Sequence, residues 1–236
     1  MNSRIYKWTF WLLAAFAGLH WLGTRWGATD AEVDANLPGD DVIPHPNFET
    51  THAVSVAAPP ATIWPWIAQG GYGRGGWYSE SWLDPIIIGA LVVMTPAGKP
   101  KPTRPPRSAD TILPAYQHPS VGDIIPDGPP DTAWFRVMSV DPDHSYVLHS
   151  TTHVTYLTPT TLQSSRWALK GDFTWVFALQ PAAGGGTRLL LRTRASAQPR
   201  AVLKLMYPLL LAGDFAQARA ILNGIKQRAE SATGRA

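Results

Sequence analysis

The stretch from Val54 to Leu83 constrains the fold of this chain more than any other. Val54 and Val56 alternate with Ser55, which predicts a strand over about 51–57. Pro59 and Pro60 end that strand. Proline is accepted in the first turn of a helix, so a short helix carrying Trp64 and Trp66 is expected over about 60–69. Gln69-Gly70-Gly71-Tyr72-Gly73-Arg74-Gly75-Gly76-Trp77-Tyr78-Ser79 follows. So many glycines predict a tight turn at positive φ, with aromatic rings packed closely around it. Gly71-x-Gly73-x-x-Gly76 formally matches a dinucleotide fingerprint, but that motif needs a strand before it and a helix after it. Here a helix comes before and Trp77-Tyr78 comes after, so a phosphate-binding role is set aside.

The chain has 236 residues, and beyond about residue 27 it is the size of one domain. It is 45% hydrophobic and 16% charged, enough to bury a core. Eleven tryptophans call for a core, a cavity wall or a membrane interface. The net charge is +3, and the basic residues are scattered except for Lys99, Lys101, Arg104 and Arg107 in a Pro-rich loop. That loop reads as a solvated insertion, and no basic stripe or known module points to nucleic acid. The absence of cysteine excludes disulfides, thiolate nucleophiles and Cys-based metal sites, and leaves the redox compartment open.

Arg4 and Lys7 precede an apolar run from Trp8 to Leu22, and Arg25 and the acids Asp30, Glu32, Asp34, Asp40 and Asp41 follow it. Trp8, Trp11, Trp21 and Trp26 sit near both ends, as in an aromatic belt. Residues 8–26 approach a bilayer-spanning length, so residues 1–27 are expected to be an uncleaved membrane anchor, with a signal peptide as the alternative. The charge asymmetry predicts a single-pass protein with an extracytoplasmic domain.

Residues 28–50 read as an acidic linker with a turn at Pro38-Gly39, and the domain is expected over 51–232. An insertion over about 85–120 contains the apolar run Ile86 to Met94, too short to cross a bilayer and a candidate lid. A short strand is expected at Val121 to Ile125. Two hairpins follow: Ala133–Val140 with Ser145–Thr152, and Asp172–Gln180 with Thr187–Ala195. Arg188, Arg192 and Arg194 fall on one face of the last strand, Leu189 and Leu191 on the other. From about Pro199 to Ala232 the period is helical, with a break or kink expected at Gly213-Asp214 and Asp214 capping the second part.

Ala57-Ala58-Pro59-Pro60 to Trp64-Pro65-Trp66, the glycine–aromatic block, Val121-Gly122-Asp123 with Pro126-Asp127-Gly128-Pro129-Pro130, Thr174-Trp175-Val176-Phe177, Thr187-Arg188-Leu189-Leu190 and Gly224 to Glu230 occur in an order that resembles the START-like superfamily, also called SRPBCC. That group includes polyketide cyclases, lipid-transfer domains and the birch-pollen-allergen group. The resemblance covers about residues 28–231 and points to a membrane-anchored bacterial branch. It implies an α+β helix-grip fold: a curved antiparallel sheet around a long C-terminal helix, with hydrophobic ligands bound between them. It carries no catalytic residues to transfer.

A wall for such a ligand would draw on Trp64, Arg74, Trp77, Tyr78, Trp82, Trp134, Arg136, His149 and Trp175, with Met206, Tyr207 and Leu210 facing it from the helix. The same residues would serve equally well as a packed core. Arg74 could hold a ligand carboxylate, although tying the turn to backbone carbonyls or to Asp84 is the favoured reading. His149 and His153 share a face if both lie in one strand, but no third metal ligand is evident, and no metal or cofactor is expected. Glu80 and Asp84 read as a solvated face, and no serine sits in a Gly-x-Ser-x-Gly elbow. The preferred expectation is noncatalytic binding of a lipid-like or aromatic small molecule. The first alternative is a cyclase/dehydrase-type enzyme, requiring at least two of Tyr78, Asp84, Arg136, His149 and His153 to converge. The second is a structural or partner-binding membrane protein using the Ile86 to Met94 patch.

Overall fold

A computed structural model describes residues 11, 17–79, 106–130, 132–156 and 164–234. Residues 17–25 are helical (α1), followed by the short α2 (Asp30–Asp34). Next come β1 (Phe48–Val56), α3 (Pro60–Ala68), β2 (Ile124–Pro126), β3 (Trp134–Asp141), β4 (Ser145–Ser150), α4 (Thr152–Tyr156), β5 (Lys170–Pro181), β6 (Thr187–Gln198) and α5 (Arg200–Thr233). The strands form one antiparallel sheet in the order β1-β6-β5-β4-β3-β2. This sheet, with the long C-terminal helix packed on β1 and β6, is the helix-grip arrangement.

Alternation of side chains gives the sheet two different faces. One carries Leu189, Leu191, Trp175, Phe177, Tyr146, Leu148 and Phe135, which form the main core with α3 and the second half of α5. The other carries Arg188, Arg192 and Arg194, and residues 28–43 are laid across it. Leu37 joins Ala53, Val147, Val176, Ala178 and Leu190 in a second apolar cluster there. Glu32 pairs with Arg188, and Asp40 with Arg192 and Arg194. The stretch expected to be a linker is thus a strap that covers the second face of the sheet. Opposite charge on the two segments is what selects it.

Burial by itself would raise the carboxyl of Glu32, but Arg188 and the backbone N–H of Thr29 hold it below its ordinary value of 4.5. A carboxyl lowered in the folded state stabilises above its unfolded value, and that contribution is lost as pH falls through the folded one. We therefore expect denaturant midpoints to drop below about pH 4.5, and Glu32→Gln to flatten that acid limb while costing stability at neutral pH. Parallel acid limbs in the two proteins would refute the assignment.

Two expectations are corrected, one by a long-range contact and one by a local cap. The helix is unbroken through Gly213-Asp214. Asp214 caps nothing: its Oδ2 accepts the Thr50 hydroxyl at 2.6 Å and lies 3.2 Å from His52 Nε2, both on β1. His153 lies in α4 rather than in a strand, because the Ser150 hydroxyl accepts the N–H groups of Thr152 and His153 and starts a helix there.

The glycine-rich turn closes with a two-residue bridge, Gly71 to Gly76. Gly73 and Gly76 sit at φ of +71° and +75°. Gly75 is not in the left-handed region, but a Cβ there would stand 2.7 Å from Gln69 Cγ and 2.9 Å from the Gln69 carbonyl. Nothing lies within 4 Å of a Cβ at Gly73. Gly73→Ala is thus expected to cost only the left-handed penalty, roughly 1–2 kcal/mol. Gly75→Val is expected to cost more, because neighbouring backbone must move. Denaturant titration of both variants checks the order, and equal losses would contradict it.

Residues 80–105 and 157–163 lie outside the described residues. So do Trp82, Glu80, Asp84, the Ile86 to Met94 run and most of the expected insertion. Residues 1–10 and 12–16 of the expected anchor are also outside. Among the described residues, no helix is long and apolar enough to cross a membrane.

Candidate functional site

The glycine-rich turn faces the second half of α5 across a pocket of about 960 Å³. Three kinds of side chain line it. Tyr72, Trp77 and Tyr78 come from the turn and its exit. Gln217, Asn223 and Gln227 come from α5, on the side shared by residues three and four apart. Arg74, Arg107 and Arg228 bring positive charge, against one acid, Asp127.

The turn is built rigidly. Tyr78 sits at φ +58°, donates its N–H to the Ser108 hydroxyl and its phenol to the Trp66 carbonyl, and lies under the Arg228 guanidinium. Gly224 on α5 leaves the room this requires, since a Cβ there would collide with the Tyr78 carbonyl oxygen. Buried Gln69 latches residues 111–117 to α3 through the carbonyl of Thr111, the N–H of Leu113 and the Gln117 amide. Arg228 is committed to the carbonyls of Ala109 and Gly224 and to Asp110.

Arg74 is only partly committed. One guanidinium nitrogen donates to the Ala68 carbonyl at 3.0 Å, and the group stacks over Tyr116. Its Nε is buried without a hydrogen-bond partner, and so is Trp77 Nε1. Behind them, Trp175 Nε1 and the Tyr146 hydroxyl are in the same state. Burial pushes the Tyr146 phenol well above its ordinary value, so it stays protonated. Buried donors without an acceptor are uncommon in a finished core. Two of them in the wall of one pocket, Arg74 Nε and Trp77 Nε1, mark a place where acceptor atoms would be favourable.

The space expected as a cavity between sheet and helix is filled at its centre by rings. Trp77 meets Trp175 edge-on at 5.3 Å and lies parallel to Phe177 at 6.4 Å, while Phe135 stacks on Trp175 at 5.0 Å. The pocket lies outside this stack, so Trp77 is both core and floor.

Among the twelve expected wall residues, Arg74, Trp77 and Tyr78 line the pocket. Trp64 and Trp175 are buried in the main core. Trp134 lies under the Arg136 guanidinium on β3, and His149 pairs with Asp172, all away from the pocket. Met206, Tyr207 and Leu210 pack against smaller clusters at the first half of α5. Trp82 is outside the described residues.

Sequence reasoning missed Asp127. Its carboxylate lies 2.7 Å from His153 Nε2, and His153 Nδ1 lies 2.7 Å from the Ser150 hydroxyl. The set has the composition of a hydrolase triad but not its access. Ser150 is fully buried and occupied in starting α4. His153 is wedged between Phe135 and Phe173. Only Asp127 reaches the pocket. Nothing local in the sequence signals this set, because Asp127 joins it across 26 residues. Among the described residues no group of three or more His, Asp or Glu could hold a metal ion.

No family model and no curated protein matches the chain. Solved structures with a loosely similar fold include a norcoclaurine synthase point mutant from Thalictrum flavum in complex with a transition state analogue. It is 15% identical over 79% of this chain and 96% of that one, with a TM-score of 0.41. Protein Ms6760 from Mycobacterium smegmatis is 18% identical over 80% and 92%, TM-score 0.38. Protein MLL2253 from Mesorhizobium loti is 14% identical over 78% and 98%, TM-score 0.38.

Proposed function

We propose that the protein binds a small amphiphilic molecule at the glycine-rich turn, with an aromatic or lipid-like body and an acceptor oxygen such as a carboxylate. The observation that carries this reading is the pair of unpartnered buried donors, Arg74 Nε and Trp77 Nε1, in the wall of a pocket of about 960 Å³. That volume is at the upper end of ordinary ligand sites. Tyr72, Trp77 and Tyr78 receive the apolar part, and the two donors receive the oxygen. In this reading residues 8–26 tether the domain to a membrane, with the domain on the extracytoplasmic side.

Native mass spectrometry of the full chain released from detergent, followed by extraction, tests the reading. The strap must be kept, because Glu32 and Asp40 hold the sheet's second face. A stoichiometric passenger is expected, and it should be lost in Ala220→Trp, which fills the pocket. An apo mass that does not shift with fatty acids or aromatic acids sinks the proposal. With a ligand in hand, Trp77→Phe keeps the ring and removes one neutral donor, so affinity should fall about 2–10-fold. Arg74→Gln removes a charged donor and should cost roughly 10–100-fold. Calorimetry reads both, and unchanged affinities would place the oxygen elsewhere.

A second reading, acid–base catalysis, draws on Asp127 in the pocket wall with His153 behind it. Chemical change of the bound compound that Asp127→Asn abolishes would replace the binding reading.

A further inference from the structure

The solvent face at the start of α5 is apolar. Leu205 and Leu209, one turn apart, are 83% and 68% exposed. Exposed Pro208 and Ala212 continue the same stripe. Alongside runs α1. His20 bonds Tyr207 at 3.1 Å, Gly23 gives room to Leu211, and Trp26 meets Phe215 edge-on. These contacts advance in step along both helices, so the two lie parallel and side by side. To that end of the molecule α1 adds Leu19 and Trp21, 68% and 57% exposed. Single exposed leucines are ordinary, but large apolar side chains gathered on two adjoining helices mark a contact surface.

Charge says what the surface meets. Residues 164–170 reach the start of α5 through Leu169, which packs with Leu203. Residues 17–25, 164–170 and 200–213 together hold Arg166, Lys170, Arg200 and Lys204, and no acid, while Arg25 at the far end of α1 is paired with Asp30. Half-exposed Trp167 lies under the Arg166 guanidinium, an aromatic–basic pair suited to an interface. In the sequence, the apolar run from Trp8 to Leu22 leads directly into this surface. A protein partner would have to match the patch, its basic border and that run together, whereas a bilayer with anionic headgroups accommodates all three.

We propose that the first half of α5 lies on the surface of an anionic lipid bilayer beside α1, as a second membrane contact of the folded domain. Leu209 and Gln217, the first pocket-lining residue on α5, are separated by roughly 12 Å along the helix, so the lipid contact and the pocket are successive segments of one helix. The surface stands independently of what the pocket binds.

The cysteine-free chain makes a clean test possible. Leu205→Cys, Leu209→Cys and Ala232→Cys are made singly in the full chain, and each is labelled with an environment-sensitive fluorophore. Vesicles of phosphatidylcholine with a quarter phosphatidylglycerol, and of phosphatidylcholine alone, are added with and without a lipid-borne quencher. Labels at 205 and 209 are expected to shift to the blue and to be quenched at least twofold by anionic vesicles, with the label at 232 unmoved. Arg200→Gln with Lys204→Gln should reduce that quenching. Vesicle-bound protein with unshifted labels at 205 and 209 would overturn the proposal. A shift that needs no vesicles and grows with protein concentration would also overturn it, in favour of a second copy of the chain.

Discussion

Replacing Arg192 with methionine is expected to lower the melting temperature by about 6–20 °C, the largest loss foreseen for any single exchange here. Arg192 is 2% exposed, and its guanidinium is fully engaged. It donates to the Thr51 hydroxyl, to the carbonyls of Glu32, Val33 and Ala35 at the end of α2, and to Asp40 at 2.6 Å. Methionine fills most of the volume but leaves Asp40 with Arg194 as its one remaining cation, beside the Leu37 N–H, and strands three carbonyls. Removing one partner of a buried, hydrogen-bonded pair typically costs about 3–5 kcal/mol. Arg192→Met with Asp40→Asn should recover part of that loss, because the stranded charge is then gone. Thermal melts of the single and double variants decide it. A single variant within about 2 °C of wild type would mean that the strap contributes little to the fold.

Gly224→Val is the second large effect. A Cβ at this position would run into the carbonyl oxygen and Cβ of Tyr78, which no rotamer change can relieve. The turn must move away from α5, separating Arg228 from Tyr78 and opening the floor of the pocket. Overpacking against backbone is expected to cost about 3 kcal/mol or more. Gly213 supplies the control on the same helix. Nothing lies within 4 Å of a Cβ there, so Gly213→Ala should stabilise by roughly 0.5–1 kcal/mol. Denaturant titration checks both signs, and a neutral Gly224→Val would show that the turn does not need its close approach to the helix. The same variant should also lose any pocket ligand, which separates this contact from a purely structural one.

What could be read from residues in order was local. β1, α3, both hairpins and the long helix followed from period, proline and turn chemistry, and each depends on neighbours a few residues apart. The glycine-rich turn was legible for the same reason, and so were Arg74, Trp77 and Tyr78, which stand in it. The pocket's other wall was not. Gln217, Asn223 and Gln227 are ordinary polar residues on a helix until the fold sets them opposite the turn. Asp127, His153 and Ser150 likewise mean nothing until β2 is brought beside α4.

The strap is the most instructive gap. Its signal was present as acid at residues 30–41 and arginine at 188, 192 and 194, yet each block alone reads as solvated charge. The sequence by itself determined the element order, the two faces of each strand and the aromatic stock, because these follow from backbone period and side-chain size. Only the tertiary structure decided that rings fill the centre of the grip, that the pocket lies outside them, and that Asp214 joins α5 to β1 rather than capping it. Those outcomes depend on which groups meet across forty to more than a hundred and fifty residues, where burial and charge pairing outweigh local preference.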